Sequence, residues 1–193
     1  MSGVIVAVGL TGFSALEAAP VAAATTTVSV FGARTPVRVD TNDSAAVELG
    51  MRFRPTKDGV VTGVRFYKSA KNTGVHTGTL WSNSGAKLAT VTFTGETASG
   101  WQTASLSTPV SVKSGTSYVV SYHTNTGHYA ADAYFFSKPT TAGPLTALAD
   151  GAAGANSVYT YGASAFPTKS WRSANYWVDV TFQPTVLPVA LPA

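Results

Sequence analysis

The residues best placed to do chemistry are a set of aromatic and charged side chains that alternate with apolar ones. Leu49, Phe53, Phe66, Val180 and Phe182 share one parity within their runs, and Glu48, Arg52, Arg65, Tyr67, Trp81, Trp177 and Asp179 take the other. If the first set is core, the second lines the opposite face of a sheet. Aromatic rings stack on the apolar faces of sugars, and flanking carboxylates and guanidiniums bond hydroxyls, so this face is expected to bind a glycan. The alternative is that these residues lie under the long 124–174 segment, with Arg65 paired to Asp179 or Glu48 as a buried ion pair. Glycoside hydrolysis needs two carboxylates at a defined separation. Glu48 and Asp179 are the only strand-borne acids of matching parity, and nothing marks them as a catalytic pair.

A second candidate surface comes from loop aromatics: Trp101, Tyr129, Tyr134, Tyr161 and Trp171. The competing reading makes each an anchor that packs on the edge of the fold. The chain has three histidines, His76, His123 and His128. Zinc takes three or four ligands, and no carboxylate is spaced to complete such a set. His76 is expected to bond backbone at a strand start. The run from Asp40 to Ser44 fails as an EF-hand, because Ala45 and Met51 stand where Gly and Glu are required. A structural calcium site from Asp40, Asp43 and backbone carbonyls is one reading, and a solvated turn closed by side-chain hydrogen bonds is the other. Ser84 and Lys87 match S-x-x-K in letters only, within a hairpin turn. No P-loop, Rossmann fingerprint or nucleophile elbow occurs, and the absence of cysteine excludes thiol catalysis and disulfides. No cofactor is expected.

These side chains need an antiparallel framework. From Glu48 to Phe93, apolar and polar residues alternate, and turns punctuate each run at residues 55–59, 72–74 and 83–85. Runs at 25–31, 101–107, 110–112, 117–123 and 175–182 continue the pattern, with Pro109 at a strand edge or boundary. Between residues 124 and 174 only short β-like pieces appear, at 134–136 and 158–161, among Gly, Ala and Pro. Long loops are expected there, and loops carry binding function more often than framework strands. The predicted class is all-β: a two-sheet antiparallel β-sandwich, jelly-roll-like, with a closed barrel as the alternative.

The chain is 193 residues long, enough for one sizeable core. Charged residues make up 11%, against about 25% in ordinary soluble domains, and hydroxyl-bearing and small residues replace them. The net charge of +4 is scattered rather than striped, which argues against a nucleic-acid partner. Residues 1–24 are expected to be a signal-peptide-like leader: Val4–Leu10 is a short apolar run, and Ala22 and Ala24 fit a small-residue cleavage site, although no Lys or Arg precedes Arg34. That run is too short to span a bilayer. Residues 25–184 form the expected β-sandwich module. Residues 185–193, rich in proline, read as a linker toward an adjacent domain.

Ten short motifs (ELGMRF, GVRFYK, TGVHTGTLW, LATVTF, SGWQT, GTSYVVSYH, GHYA, PLTALADG, FPT and NYWVDV) follow in an order that resembles the family catalogued as domain of unknown function 4082, over roughly residues 28–183. The resemblance implies a β-sandwich that serves as an accessory module of secreted bacterial multidomain proteins. It supplies no catalytic residues. The expectation is therefore a secreted or cell-surface, noncatalytic module that binds a polysaccharide or cell-wall glycan. A structural spacer or protein-interaction module is the first alternative, and an uncharacterised hydrolase the second.

Overall fold

The computed structural model describes residues 26–186. Strand β1 (Val47–Pro55) lies in a large sheet, and the chain then crosses to a smaller one for β2 (Gly59–Lys68). It returns for the hairpin β3 (Thr77–Ser82) and β4 (Lys87–Thr92), crosses again for β5 (Gly100–Val112), and comes back for β6 (Tyr118–Thr124). The long segment that follows adds four short strands to the large sheet: β7 (Thr140–Ala142), β8 (Leu145–Ala147), β9 (Val158–Tyr161) and β10 (Lys169–Ser170). Finally β11 (Val178–Pro184) completes the small sheet. All these pairings are antiparallel. The large sheet runs β10-β9-β1-β6-β3-β4, with β8 on β1 and β7 on β8, and the small sheet runs β11-β2-β5. The predicted two-sheet β-sandwich is thus the fold, and the sheets do not close into one barrel. The expected leader lies outside the described residues, as does the expected linker apart from Thr185 and Val186.

The core lies between the sheets. Leu49, Met51 and Phe53 from β1 and Val120 and Tyr122 from β6 meet Val64 and Phe66 from β2 and Val178, Val180 and Phe182 from β11. Each of these side chains is buried, which contributes roughly 1.5–3 kcal/mol for the larger ones. Phe66 stacks on Tyr122 with ring centroids 4.2 Å apart and meets Phe93 edge-on at 4.8 Å, locking one sheet onto the other. The sheets approach so closely at Gly78 that an added Cβ would stand 2.9 Å from the Val64 side chain.

Four expected runs differ. The run at 25–31 makes only a bridge between Val28 and Phe182, because the next free N–H groups, of Val30 and Phe31, go to the Asp179 carboxylate instead of a ladder. The run at 134–136 is a 3-10 turn, Phe135–Ser137, entered through Tyr134 at φ 62°. Residues 101–112 are one strand with an internal slip, since β2 passes from a partner at Val110 to one at Ser105 within two residues. Pro109 falls in the skipped stretch of this edge strand, where its missing N–H costs no ladder bond.

Candidate functional site

Parity within each strand is as expected, but the seven residues read as one aromatic and charged face belong to both sheets. Glu48, Arg52 and Trp81 sit on the outer side of the large sheet, and Arg65, Tyr67 and Asp179 on the outer side of the small one. These are opposite sides of the sandwich, so no single glycan-binding face forms, and the acids Glu48 and Asp179 do not face one another. Both groups are also covered.

Over the large sheet, Phe166 and Val158 pack on Trp81. The Trp81 indole N–H donates to Ser121 Oγ at 2.7 Å, and that hydroxyl donates to Glu48 Oε1 at 2.5 Å. Burial pushes the Glu48 carboxyl up, against the pull of that hydrogen bond. Arg52 donates to the Ala155 carbonyl at 2.7 Å and to Asn83 Oδ1, and burial lowers its pKa. The cover therefore comes from the long 124–174 segment, as the alternative reading had it.

Over the small sheet the cover is the N-terminal segment instead. Asp179 is fully buried and accepts the backbone N–H groups of Val30, Phe31 and Val180 at 3.0, 2.9 and 2.8 Å. Burial raises its carboxyl to about 6 despite those bonds and the nearby Arg65 charge. Arg65 does not pair with it directly. Its guanidinium bonds Ser29 Oγ and the Gly32 carbonyl, each at 2.8 Å, and lies 4.0 Å over the Trp101 ring. Tyr67 meets Trp101 edge-on at 5.7 Å. Trp177, just before β11, is buried among Phe31, Trp101 and Phe135. Of the predicted ligand face, Glu48, Trp81, Trp177 and Asp179 are thus internal, and Arg52, Arg65 and Tyr67 are only partly exposed.

The second predicted surface borders open depressions in the molecule. Two adjoining depressions, of about 480 and 220 Å³, share Arg38, Ala131 and Trp171 as a common wall. The first is completed mainly by Arg34, Asp132, Phe135 and an edge of Trp177. The second is completed by Thr41, Asp43 and the rings of Tyr129, Tyr159, Tyr161 and Tyr176. Trp171 is 40% exposed and Tyr161 46% exposed, so two large rings stay in water where most other aromatic rings are covered. Tyr134, 61% exposed, stands close by, with the Arg172 side chain between its ring and that of Trp171. Of the loop aromatics expected to act together, Trp101 alone is elsewhere, packed over the small sheet with its indole N–H on the Arg34 carbonyl at 2.8 Å.

Local backbone geometry builds this groove. A bridge between Asp132 and Asn175 brings the two loops together. Tyr134 and Phe136 then donate to the carbonyls of Arg172 and Ser173 at 2.7 and 2.8 Å. Tyr134, Arg172, Ser173 and Trp177 all have positive φ, four of the seven such non-glycine residues among those described. That conformation costs a side-chain-bearing residue on the order of 1 kcal/mol, and such strain concentrates at binding sites. Asp132 bonds the Val37 and Arg38 N–H groups at 2.9 and 2.8 Å and the Trp177 indole at 2.9 Å. Asp43 accepts the Tyr129 and Tyr161 hydroxyls and the Ala45 N–H. Burial raises the Asp43 carboxyl, but these three donors outweigh it and hold it below its usual value. Gly127, at φ 61°, lies so close to the Asp43 carbonyl that any side chain there would collide with it.

Sequence reasoning missed Arg34, Arg38, Asp132, Tyr159 and Tyr176 as parts of this site. Asp132, Tyr159 and Tyr176 stand near loop aromatics in the sequence, whereas Arg34 and Arg38 carry no such signal. The three histidines do not converge, and no cluster of three metal-ligating side chains occurs among the described residues. His76 is buried between Glu96, at 2.8 Å, and Asn72, so its partners are side chains rather than backbone. His123 donates to the Gly162 carbonyl, and His128 meets Asp40. Asp40 also accepts the Asn42 N–H at 2.7 Å. Both Asp40 and Asp43 thus close side-chain turns and are ringed by donors, which leaves the calcium reading without a built site.

A two-sheet antiparallel sandwich whose groove is built by loops at one end is the class that this fold defines. The chain belongs to the family described as domain of unknown function DUF4082, which it matches over residues 33–178. The match takes in every residue named in the groove. No curated protein matches the chain. No helix among the described residues is long and apolar enough to cross a membrane.

Proposed function

We propose that the protein is a noncatalytic carbohydrate-binding module, secreted or held at the cell surface as one part of a longer protein, and that the loop groove holds the glycan. One observation carries this reading: Trp171 and Tyr161 keep much of their ring surface in water on the walls of a depression whose other groups are tyrosines, Arg38, Asp43 and Thr41. A sugar needs an apolar platform for its C–H face and a few fixed polar groups for its hydroxyls. The tyrosines on Asp43 are held in place before any ligand arrives, which lowers the entropy cost of binding. The noncatalytic part of the reading is supported by the separation and burial of Glu48 and Asp179, the one carboxylate pair the sequence offered for hydrolysis. The secreted setting is supported by the low charge content and the leader-like first 24 residues.

The test is calorimetry and pull-down of the full chain against neutral and acidic polysaccharides, including chitin, cellulose, xylan, peptidoglycan and pectin. Saturable binding to at least one is expected, with loss of most affinity in Trp171→Ala and Tyr161→Ala while the melting temperature holds. Undiminished binding by both variants would remove the groove as the site.

A further inference from the structure

We infer that the glycan taken by this groove is anionic, a saccharide bearing carboxylate or phosphate groups. The inference rests on the carbohydrate reading above and concerns which sugars the groove selects. Three guanidiniums flank it: Arg34 and Arg38 on its walls and Arg172 against the ring of Trp171 at 5.1 Å. All three are exposed, and none makes a salt bridge among the described residues. Arg stays cationic across the biological pH range and forms a planar fork suited to carboxylate and phosphate oxygens.

The groove's own acids, Asp132 and Asp43, number two against the three guanidiniums, and their oxygens are engaged by donors of the chain rather than presented to a ligand. Asp132 is filled by two backbone N–H groups and the Trp177 indole, and Asp43 by the Ala45 N–H and two tyrosine hydroxyls. Their oxygens are turned toward internal donors. Beyond the walls, Asp40 meets His128 and Lys71, and Asp150 takes Ser173 Oγ and the Asn156 N–H.

Arg38 is tethered by hydrogen bonds, and Arg34 rests against a ring. Arg38 gives Nη2 and Nε to the carbonyls of Thr41 and Asp40, at 2.9 and 3.3 Å, and no described residue takes its Nη1. Arg34 lies 5.5 Å over the Phe135 ring, and its guanidinium has no hydrogen-bond partner among the described residues. Unpaired, partly immobilised guanidiniums beside an exposed indole supply both halves of acidic-sugar recognition: stacking for the ring and charge-assisted bonds for the anion.

The experiment compares matched pairs that differ only in the anion, using the full chain at fixed ionic strength: polygalacturonate with its methyl ester, and phosphorylated dextran with dextran. Polyglutamate serves as a polyanion without sugar rings. The expected result is saturable binding to one or both anionic saccharides, at least tenfold weaker binding to the neutral partner, and weak binding to polyglutamate. The first pair reads carboxylate, and the second phosphate. Arg34→Gln, which removes no internal hydrogen bond, should weaken binding about tenfold, and Arg38→Gln at least as much. Equal affinity for the neutral and anionic members of both pairs would overturn the anionic preference and leave the carbohydrate reading standing. Polyglutamate binding as tight as that of the saccharides would reduce the effect to unspecific charge and overturn it too. Absence of binding to every saccharide would end the carbohydrate reading, and this inference with it.

Discussion

The indole N–H of Trp177 ends on Asp132 Oδ2 at 2.9 Å, and through that bond the aromatic interior is tied to the rim of the groove. Trp177 is buried among the rings that roof the small sheet, whereas Asp132 reaches outward to hold the backbone of Val37 and Arg38. The position of the Arg38 guanidinium therefore depends on a carboxylate fixed from inside. Asp132→Ala would leave three donors without a partner, two of them able to turn to water. We expect a loss of about 2–4 kcal/mol in urea unfolding, together with weaker glycan binding. A variant as stable as the parent would mean that the 35–38 segment is held by something else.

Two tryptophans separate the sheet-face and groove readings. Trp81 is buried and bonded to Ser121, so Trp81→Ala should cost about 3–5 kcal/mol of stability. Trp171 is 40% exposed, and Trp171→Ala should change stability by no more than about 1 kcal/mol. Binding should respond in the opposite order, with Trp171→Ala losing most of it and folded Trp81→Ala retaining it. Chemical denaturation and calorimetry on the same preparations decide the matter.

Asp179 gives stability a pH dependence of definite sign. Its carboxyl stands at about 6 in the folded chain because burial disfavours the charge, against a usual 3.8. Folding is therefore helped below about pH 4, where both states hold the proton, and the help is lost as pH rises through about 6. At roughly 1.4 kcal/mol per unit, the loss from this group is on the order of 3 kcal/mol. Asp179→Asn should unfold at lower urea overall, since its amide cannot accept from Phe31, but its stability should change less between pH 4.5 and 7 than that of the parent. Parallel pH profiles for the two proteins would show that the carboxylate is charged in the fold throughout.

Gly78 marks a close approach of the two sheets. An added methyl would lie 2.9 Å from the Val64 side chain and 3.1 Å from Phe93. Gly78→Ala should cost about 1–3 kcal/mol by overpacking. In a chain of this size that lowers the melting temperature by roughly 2–12 °C. An unchanged melting temperature would mean that the sheets can part at this point without loss.

Much of the framework was legible in the sequence because side-chain direction along a strand has a period of two. Leu49, Met51 and Phe53 had to share a side, and Glu48 and Arg52 had to take the other. Turn residues at 55–59, 72–74 and 83–85 then separated the strands, since their chemistry is local. The 25–31 run shows the limit of that logic: it has strand-forming residues, but a distant carboxylate, Asp179, takes its N–H groups. Nothing within seven residues can announce a partner some 150 positions away.

The sequence by itself determined an antiparallel all-β chain, the two parities of its strands, and a long loop region rich in aromatics. Only the tertiary structure decided which outer face each strand joins, because parity is a property of one strand while sheet membership depends on pairing across the chain. It therefore divided Glu48 from Asp179 and buried Trp81 and Trp177. It also brought residues 34–43, 129–135 and 159–177 around one groove, through the Asp132–Asn175 bridge and the hydrogen bonds of Asp132 and Asp43. Those contacts link segments that share no period and no spacing, so they exist only once the chain has folded.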